Sequence, residues 1–190
     1  MSSRFLLPAL LGLALVPAGN ATADVVINEI FYHAPDDLND LEWVELHNPD
    51  DKPADVSGWR FTSGITFQFP EKSLLPPGGF LVLSKDRRLF TDYYDAPVDG
   101  EFKGSLRNSG ETLVLADAGG RTVDRTTYAD KAPWPAAADG ISASLERITP
   151  ATSGERVDNW SSSPLPEDMD RPAGTPGKPN ASYSAHFPPT

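Results

Sequence analysis

The sequence predicts an all-β fold, a sandwich or a barrel, and three observations carry that expectation. Short apolar runs recur along most of the chain. Clusters of turn-forming residues separate them: "NPDDKPAD", "PPGG", "NSG" and "DAGG". No long stretch sustains the 3.6-residue apolar period of a helix. Frequent turns between short apolar runs are the signature of strands packed as two sheets or closed on themselves.

The elements follow in chain order. Arg4, the apolar run Phe5–Val16, the helix-breaking "PAG" and the small-residue pattern "ATA" at Ala21–Ala23 together read as a secretory signal peptide over residues 1–23. Its apolar core is shorter than the roughly 20 residues a membrane-crossing helix requires. Strands are expected at Val25–Tyr32, Glu42–Asn48, Trp59–Phe61, Ile65–Phe69, Phe80–Ser84, Thr112–Ala116, Thr122–Tyr128 and Ser144–Ile148. One helical turn is expected near Lys85–Tyr93. Asn108-Ser109-Gly110 and Gly119-Gly120 supply the positive-φ positions that hairpin turns require. Trp59 supplies a large apolar anchor at the start of its strand. The domain is expected to span 24–160. Residues 161–190 are rich in Pro, Ser, Gly, Asp and Asn and read as a strap or linker, because such a composition buries little apolar surface. The closing "SYSAHFPPT" reads as the start of a connection to something further, as in a piece of a multidomain protein.

Composition narrows the function. Removing 23 of the 190 residues leaves 167, enough for one domain with its own core. There is no cysteine, so stability rests on burial and not on disulfides. A net charge of −11 and a pI near 4.6 argue against nucleic acid, because an acidic chain without a Lys/Arg cluster repels phosphate backbones. No second apolar run is long enough for a membrane span.

Candidate chemistry is sparse. The loop "HAPDDLNDLE" gathers oxygen-bearing side chains, and Asp36, Asp37, Asn39 and Asp40 are the candidates for an adventitious calcium site. Counted from Asp37, the fifth position is Leu41 and no glycine occupies the sixth, so the calcium-loop template fails and a solvated turn is the expectation. His33 and His47 could approach if their strands pair, but no spacing typical of zinc ligands supports them. "GSLRNSG" lacks the G-x-S-x-G elbow of a serine nucleophile. The sequons at Asn159 and Asn180 read as chance occurrences. No metal, cofactor or catalytic residue is expected.

In their order, the motifs "VVINEIFYH", "EWVELHNP", "ADVSGWRF", "FQFP", "LLPPGGFLVLS", "GSLRNSGETLVLADAGGRTVDRTTY", "GISASLERI", "NW" and "GTPGKPN" resemble the successive signatures of a lamin tail domain of the secreted bacterial branch, over about Val25 to Asn180. The resemblance implies an immunoglobulin-like β-sandwich with no catalytic motif to carry over. In animals such domains follow the coiled coil of nuclear lamins; an export signal and the lack of a heptad region set that role aside here. Bacterial relatives resemble exported modules beside hydrolase, nuclease or kinase domains. The expected function is therefore a secreted or cell-surface module that binds or attaches, its partner a protein or polysaccharide of the envelope. The alternatives are a small secreted metal-dependent hydrolase using the His33–Glu45 region, or a purely structural spacer.

Two glutamates stand inside strand-like runs, Glu29 in "INEIF" and Glu45 in "WVELH". An unpaired charge is costly to bury. The expectation is that both are structural acids and that at least one pairs with Arg147 of "ASLERI", whose planar fork suits a carboxylate. Alternation places Val44 and Leu46 on one face of their strand and Trp43, Glu45 and His47 on the other.

N-terminal sequencing of the exported chain is expected to begin at Asp24. A mature protein that retains Met1 would contradict the signal-peptide reading.

Overall fold

The computed structural model describes residues 25–35, 38–168 and 171–185. The expected signal segment and the loop residues Asp36 and Asp37 lie outside the described residues.

The chain forms a β-sandwich of the immunoglobulin-like kind. One sheet has six strands: β1 (Val26–Phe31), β2 (Trp43–His47), β6 (Phe80–Ser84), β7 (Gly100–Glu101), β10 (Leu145–Arg147) and β11 (Trp160–Ser162). Their order is β11-β10-β1-β2-β6-β7, antiparallel except for the β6–β7 pair. The opposing sheet is β4 (Arg60–Ser63), β8 (Gly110–Ala116) and β9 (Thr122–Ala129), in the order β4-β8-β9. A short pair, β3 (Ala54–Asp55) with β5 (Leu74–Leu75), stands apart from both. The expected strand Ile65–Phe69 is reduced to isolated bridges, Arg60 with Gln68 and Thr66 with Lys103. Trp59 precedes β4 and is half-buried at the edge of the core.

Alternation sorts the side chains of the large sheet into two cores. Ile27, Ile30, Val44, Leu46, Leu83 and Leu145 point between the sheets, where they meet Phe61, Leu113, Leu115 and Tyr128. Phe31, Trp43 and Val82 point the other way and are covered by Leu38, Leu41 and Phe90. Phe90 belongs to the one α-helix among the described residues, α1 (Arg87–Tyr93), whose N-cap Asp86 accepts a hydrogen bond from the Leu89 N–H at 2.9 Å. Covering both faces explains why all six residues of β1 are buried and why its sequence does not alternate apolar with polar.

A bulge in β1 decides which way Glu29 faces. Ile27 pairs with Leu46 and Glu29 with Glu45, so Asn28 is an extra residue between them. Without it, Glu29 would share the inward parity of Ile27. With it, Ile27 and Ile30 both reach the inter-sheet core while Glu29 turns to the outer face with Phe31.

The same parity corrects the expected ion pair. Leu145, Glu146 and Arg147 are consecutive in β10, and Glu146 stands in register with Glu29 on the outer face. Arg147 therefore points inward, away from both Glu29 and Glu45. There its Nη1 donates to Asp124 Oδ2 of β9 at 2.7 Å and to the Ile27 carbonyl at 3.3 Å, and its Nη2 donates to the Thr152 carbonyl. Asp124 Oδ2 also accepts from the Ile27 N–H at 2.8 Å, so one carboxylate joins β1, β9 and β10. Burial raises the Asp124 carboxyl and lowers the Arg147 guanidinium, each against the pull of its partner. The pair is thus an interior strut between the sheets. Arg147→Met is expected to cost about 3–5 kcal/mol, because it leaves Asp124 buried without a cation. In unfolding measurements that cost should shrink in the Asp124→Asn background. Glu45→Gln, on the opposite face, should add to Arg147→Met within about 0.5 kcal/mol.

Candidate functional site

Three glutamates from three adjacent strands form a row across the outer face of the large sheet. Glu146 of β10 is directly opposite Glu29 of β1, which is directly opposite Glu45 of β2. Side chains so placed have Cβ atoms about 4.5–5.5 Å apart. All three residues are fully buried, and among the described residues no ion pair reaches any of them.

What covers the row is the C-terminal strap, residues 173–184, which supplies hydrogen-bond donors in place of cations. Thr175 N–H donates to Glu29 Oε1 at 2.9 Å, Gly177 N–H to Glu45 Oε2 at 2.6 Å, and Ser182 N–H to Glu146 Oε2 at 2.8 Å. Ser144 Oγ donates to Glu29 Oε1 at 2.5 Å and Asn28 Nδ2 to Glu45 Oε1 at 2.8 Å. Asn180 seals the far end: its Nδ2 donates to the carbonyls of Asn28 and Arg147, while its Oδ1 accepts from Asn28 Nδ2. The Tyr94 hydroxyl, just past α1, donates to the Ala173 carbonyl at 2.7 Å and secures the near end. Gly174, with φ +116°, lies so close that a Cβ there would stand 2.8 Å from the Trp43 ring and 3.0 Å from Glu29 Oε1. The "GTPGKPN" motif is the sequence of this contact, with glycine where the chain must touch the sheet.

The row is electrostatically strained. Burial pushes the Glu29 carboxyl up to about 8 against the pull of the Ser144 and Thr175 hydrogen bonds, and Glu146 beside it pushes the same way. Glu45 is raised well above the usual carboxylate range, by burial first and then by Glu29. The donor count agrees. Thr175 Oγ1 lies 3.1 Å from both Glu29 Oε2 and Glu146 Oε1, yet a hydroxyl has one proton to give. With Thr175 donating to one carboxylate, the contact with the other is a hydrogen bond only when a proton lies on that carboxyl.

The remaining sequence candidates are dispersed. His33 Nδ1 bonds Asp139 Oδ1 at 2.7 Å, past the end of β1. His47 sits at the opposite end of the β1–β2 pair, where its ring stacks on Phe80 at 4.5 Å and its Nδ1 lies 3.1 Å from the Gly79 carbonyl. Burial lowers the His47 pKa, so the imidazole is neutral near pH 7 and donates to that carbonyl. Asp40 is engaged by Lys85 Nζ at 2.9 Å, and the same ammonium reaches Glu42 Oε1 at 3.0 Å. Glu42 Oε2 accepts from the Leu106 N–H at 2.6 Å. Asn39, beside Asp40, is exposed. Among the described residues, no three His, Asp or Glu side chains are placed to hold a metal ion. Asn159 and Asn180, both in sequons, are buried structural amides.

One concavity stands out beside the row. A groove of about 420 Å³ is bounded by His47 and Phe80 on the sheet side, by Pro150, and by Pro179, Asn180 and Tyr183 of the strap. Sequence reasoning did not find this groove. Its walls come from segments far apart in the chain, and nothing in the sequence brings His47 and Asn180 together.

The chain matches the family model for the lamin tail domain over residues 18–130, more than half of its length. That span ends before β10, β11 and the strap, so Glu146 and every strap donor to the row lie beyond it. A comparison with curated proteins finds no match.

With Asp40 committed to Lys85, a chelator is expected to leave the thermal unfolding midpoint nearly unchanged. A fall of ten degrees or so, worth on the order of 2 kcal/mol for a domain of this size, would restore the calcium-loop reading.

Proposed function

The chain belongs to the lamin tail domain family, and from that premise we propose that it is an exported, non-catalytic module of the bacterial cell envelope that holds an apolar segment of a protein partner in the strap-bordered groove. The single observation that carries this reading is the lining of the groove: a stacked His47–Phe80 pair, the half-exposed ring of Tyr183, and prolines, with no carboxylate among them. Rigid aromatic and proline surfaces bind at low entropic cost. A nucleophile hydrogen-bonded to a general base would point to catalysis, whereas His47 Nδ1 is turned to the Gly79 carbonyl.

The chemistry of the lining favours protein over polysaccharide. Sugar hydroxyls are held by polar side chains with hydrogen-bonding capacity to spare. Here the amide nitrogens of Asn28 and Asn180 are spent on Glu45, on each other's residue and on the Arg147 carbonyl. Export is supported by the N-terminal pattern of Arg4, Phe5–Val16 and "ATA". The hydrolase alternative loses support because His33 and Glu45 are far apart in role: one bonds Asp139, the other lies under the strap.

The test is retention of the purified mature chain on envelopes prepared from its own source. Phe80→Ser with Tyr183→Ala is expected to lower retention about tenfold or more, on the order of 1–2 kcal/mol, with the unfolding midpoint little changed. Protease treatment of the envelopes should abolish binding. Equal retention of wild type and variant would remove the groove from the reading, and loss on glycan digestion alone would shift it to a polysaccharide ligand.

A further inference from the structure

The carboxylate row and the strap make a contact that depends on a proton. Glu146, Glu29 and Glu45 face it from β10, β1 and β2; Ser144 and Asn28 face it from within the sheet; Thr175, Gly177, Asn180 and Ser182 face it from the strap. The Tyr94 hydroxyl approaches from the end of α1 and gives its proton to Ala173. Asp95 and Lys178 border the small cavity beside Gly174 and are exposed. The nearest buried cation, Arg147, lies on the other face of the sheet, bound to Asp124. Among the described residues the donors to the row are neutral, and the Thr175 hydroxyl spans two carboxyls with one proton.

We propose that this row is a proton-dependent latch: holding at least one proton it binds the strap, and fully ionised it releases the strap to water. The physical cause is burial. With the strap closed, ionising the second and third carboxyls places like charges side by side where water cannot screen them. With the strap open, Glu29 and Glu45 are hydrated and ionise at ordinary pKa values. The direction follows from proton linkage. Glu29 titrates at about 8 under the strap against 4.5 when free, so between those values the closed state holds a proton the open state does not. Closure therefore weakens as pH rises through that window, by about tenfold per pH unit for one proton, and levels off above it.

Pro179, Asn180 and Tyr183 of the strap form one wall of the groove, so the latch would also assemble that wall. This consequence rests on the binding reading above. The test does not, so failure of one is distinguishable from failure of the other.

The test is amide hydrogen exchange on the full chain, corrected for intrinsic rates, between pH 5.5 and 7.5. Protection at Thr175, Gly177 and Ser182 is expected to fall about tenfold per pH unit, while Leu113 and Leu115 in β8 keep theirs. Glu29→Gln should hold the strap closed across the range. Its amide nitrogen can donate to Thr175 Oγ1, whose own proton then goes to Glu146, which is the pattern of the protonated wild type. Strap protection that is flat with pH, that falls in parallel with β8, or that falls as steeply in Glu29→Gln would each overturn the latch. Should that variant not fold, carboxyl carbon-13 titration of the wild type decides: Glu29 or Glu45 titrating above pH 7 supports the latch, and both ionising below pH 7 overturn it.

Discussion

The outer face of the large sheet has to bury three carboxyl groups standing shoulder to shoulder, and much of the C-terminal architecture answers that constraint. Glu146, Glu29 and Glu45 are not neutralised by cations from their own strands, because Arg147 has the opposite parity and His47 turns its Nδ1 to the Gly79 carbonyl. Backbone amides are the remaining donors, and they must come from a segment with no sheet partners of its own. The strap meets that need. Its prolines and glycines keep it from forming a strand or helix that would consume its N–H groups internally.

Both faces of the sheet depend on the same few residues. Asn28 bulges out of β1, turning Glu29 to the strap side while leaving Ile27 in the inter-sheet core, and its side chain bridges Glu45 to Asn180. Asp124 receives both the Ile27 amide and Arg147 on the inner side. Within three residues, β1 is thus tied to the opposing sheet through Ile27 and to the strap through Asn28 and Glu29. A disturbance at this point would be felt in the core, the strap and the groove together. The family match ends at residue 130, yet β10, which closes against β1, and the strap that covers it come later in the chain. Glu29 accepts from Ser144 and Thr175, and Glu45 accepts one of its bonds from Gly177, all of them outside the matched portion.

Much of the fold was legible in the sequence because strand period and turn chemistry are local. β1, β2, β6, β8, β9 and β10 lie where apolar runs and breakers put them, with Gly110 and Gly120 at positive φ in the turns. The two-residue strands β3, β5 and β7 were not legible, since two residues carry no period, and Ile65–Phe69 fell short of a strand although its apolar content suggested one. The parity of Val44, Leu46, Trp43 and Glu45 in β2 followed from alternation alone.

By itself the sequence determined that the chain is all-β, acidic and without disulfides, and that Glu29 and Glu45 are acids inside strands. Tertiary structure alone decided what those acids meet. The Asn28 bulge reverses parity without any local signal, so Glu29 faces outward and Arg147 inward; strand order then sets Glu146, not a cation, beside Glu29. Likewise the strap's composition shows that it adds little core, but its donors reach the row only because β10 delivers the chain to that face of the sheet. The register that sets Glu146 beside Glu29 joins residues more than 100 positions apart, and no period along the chain encodes it.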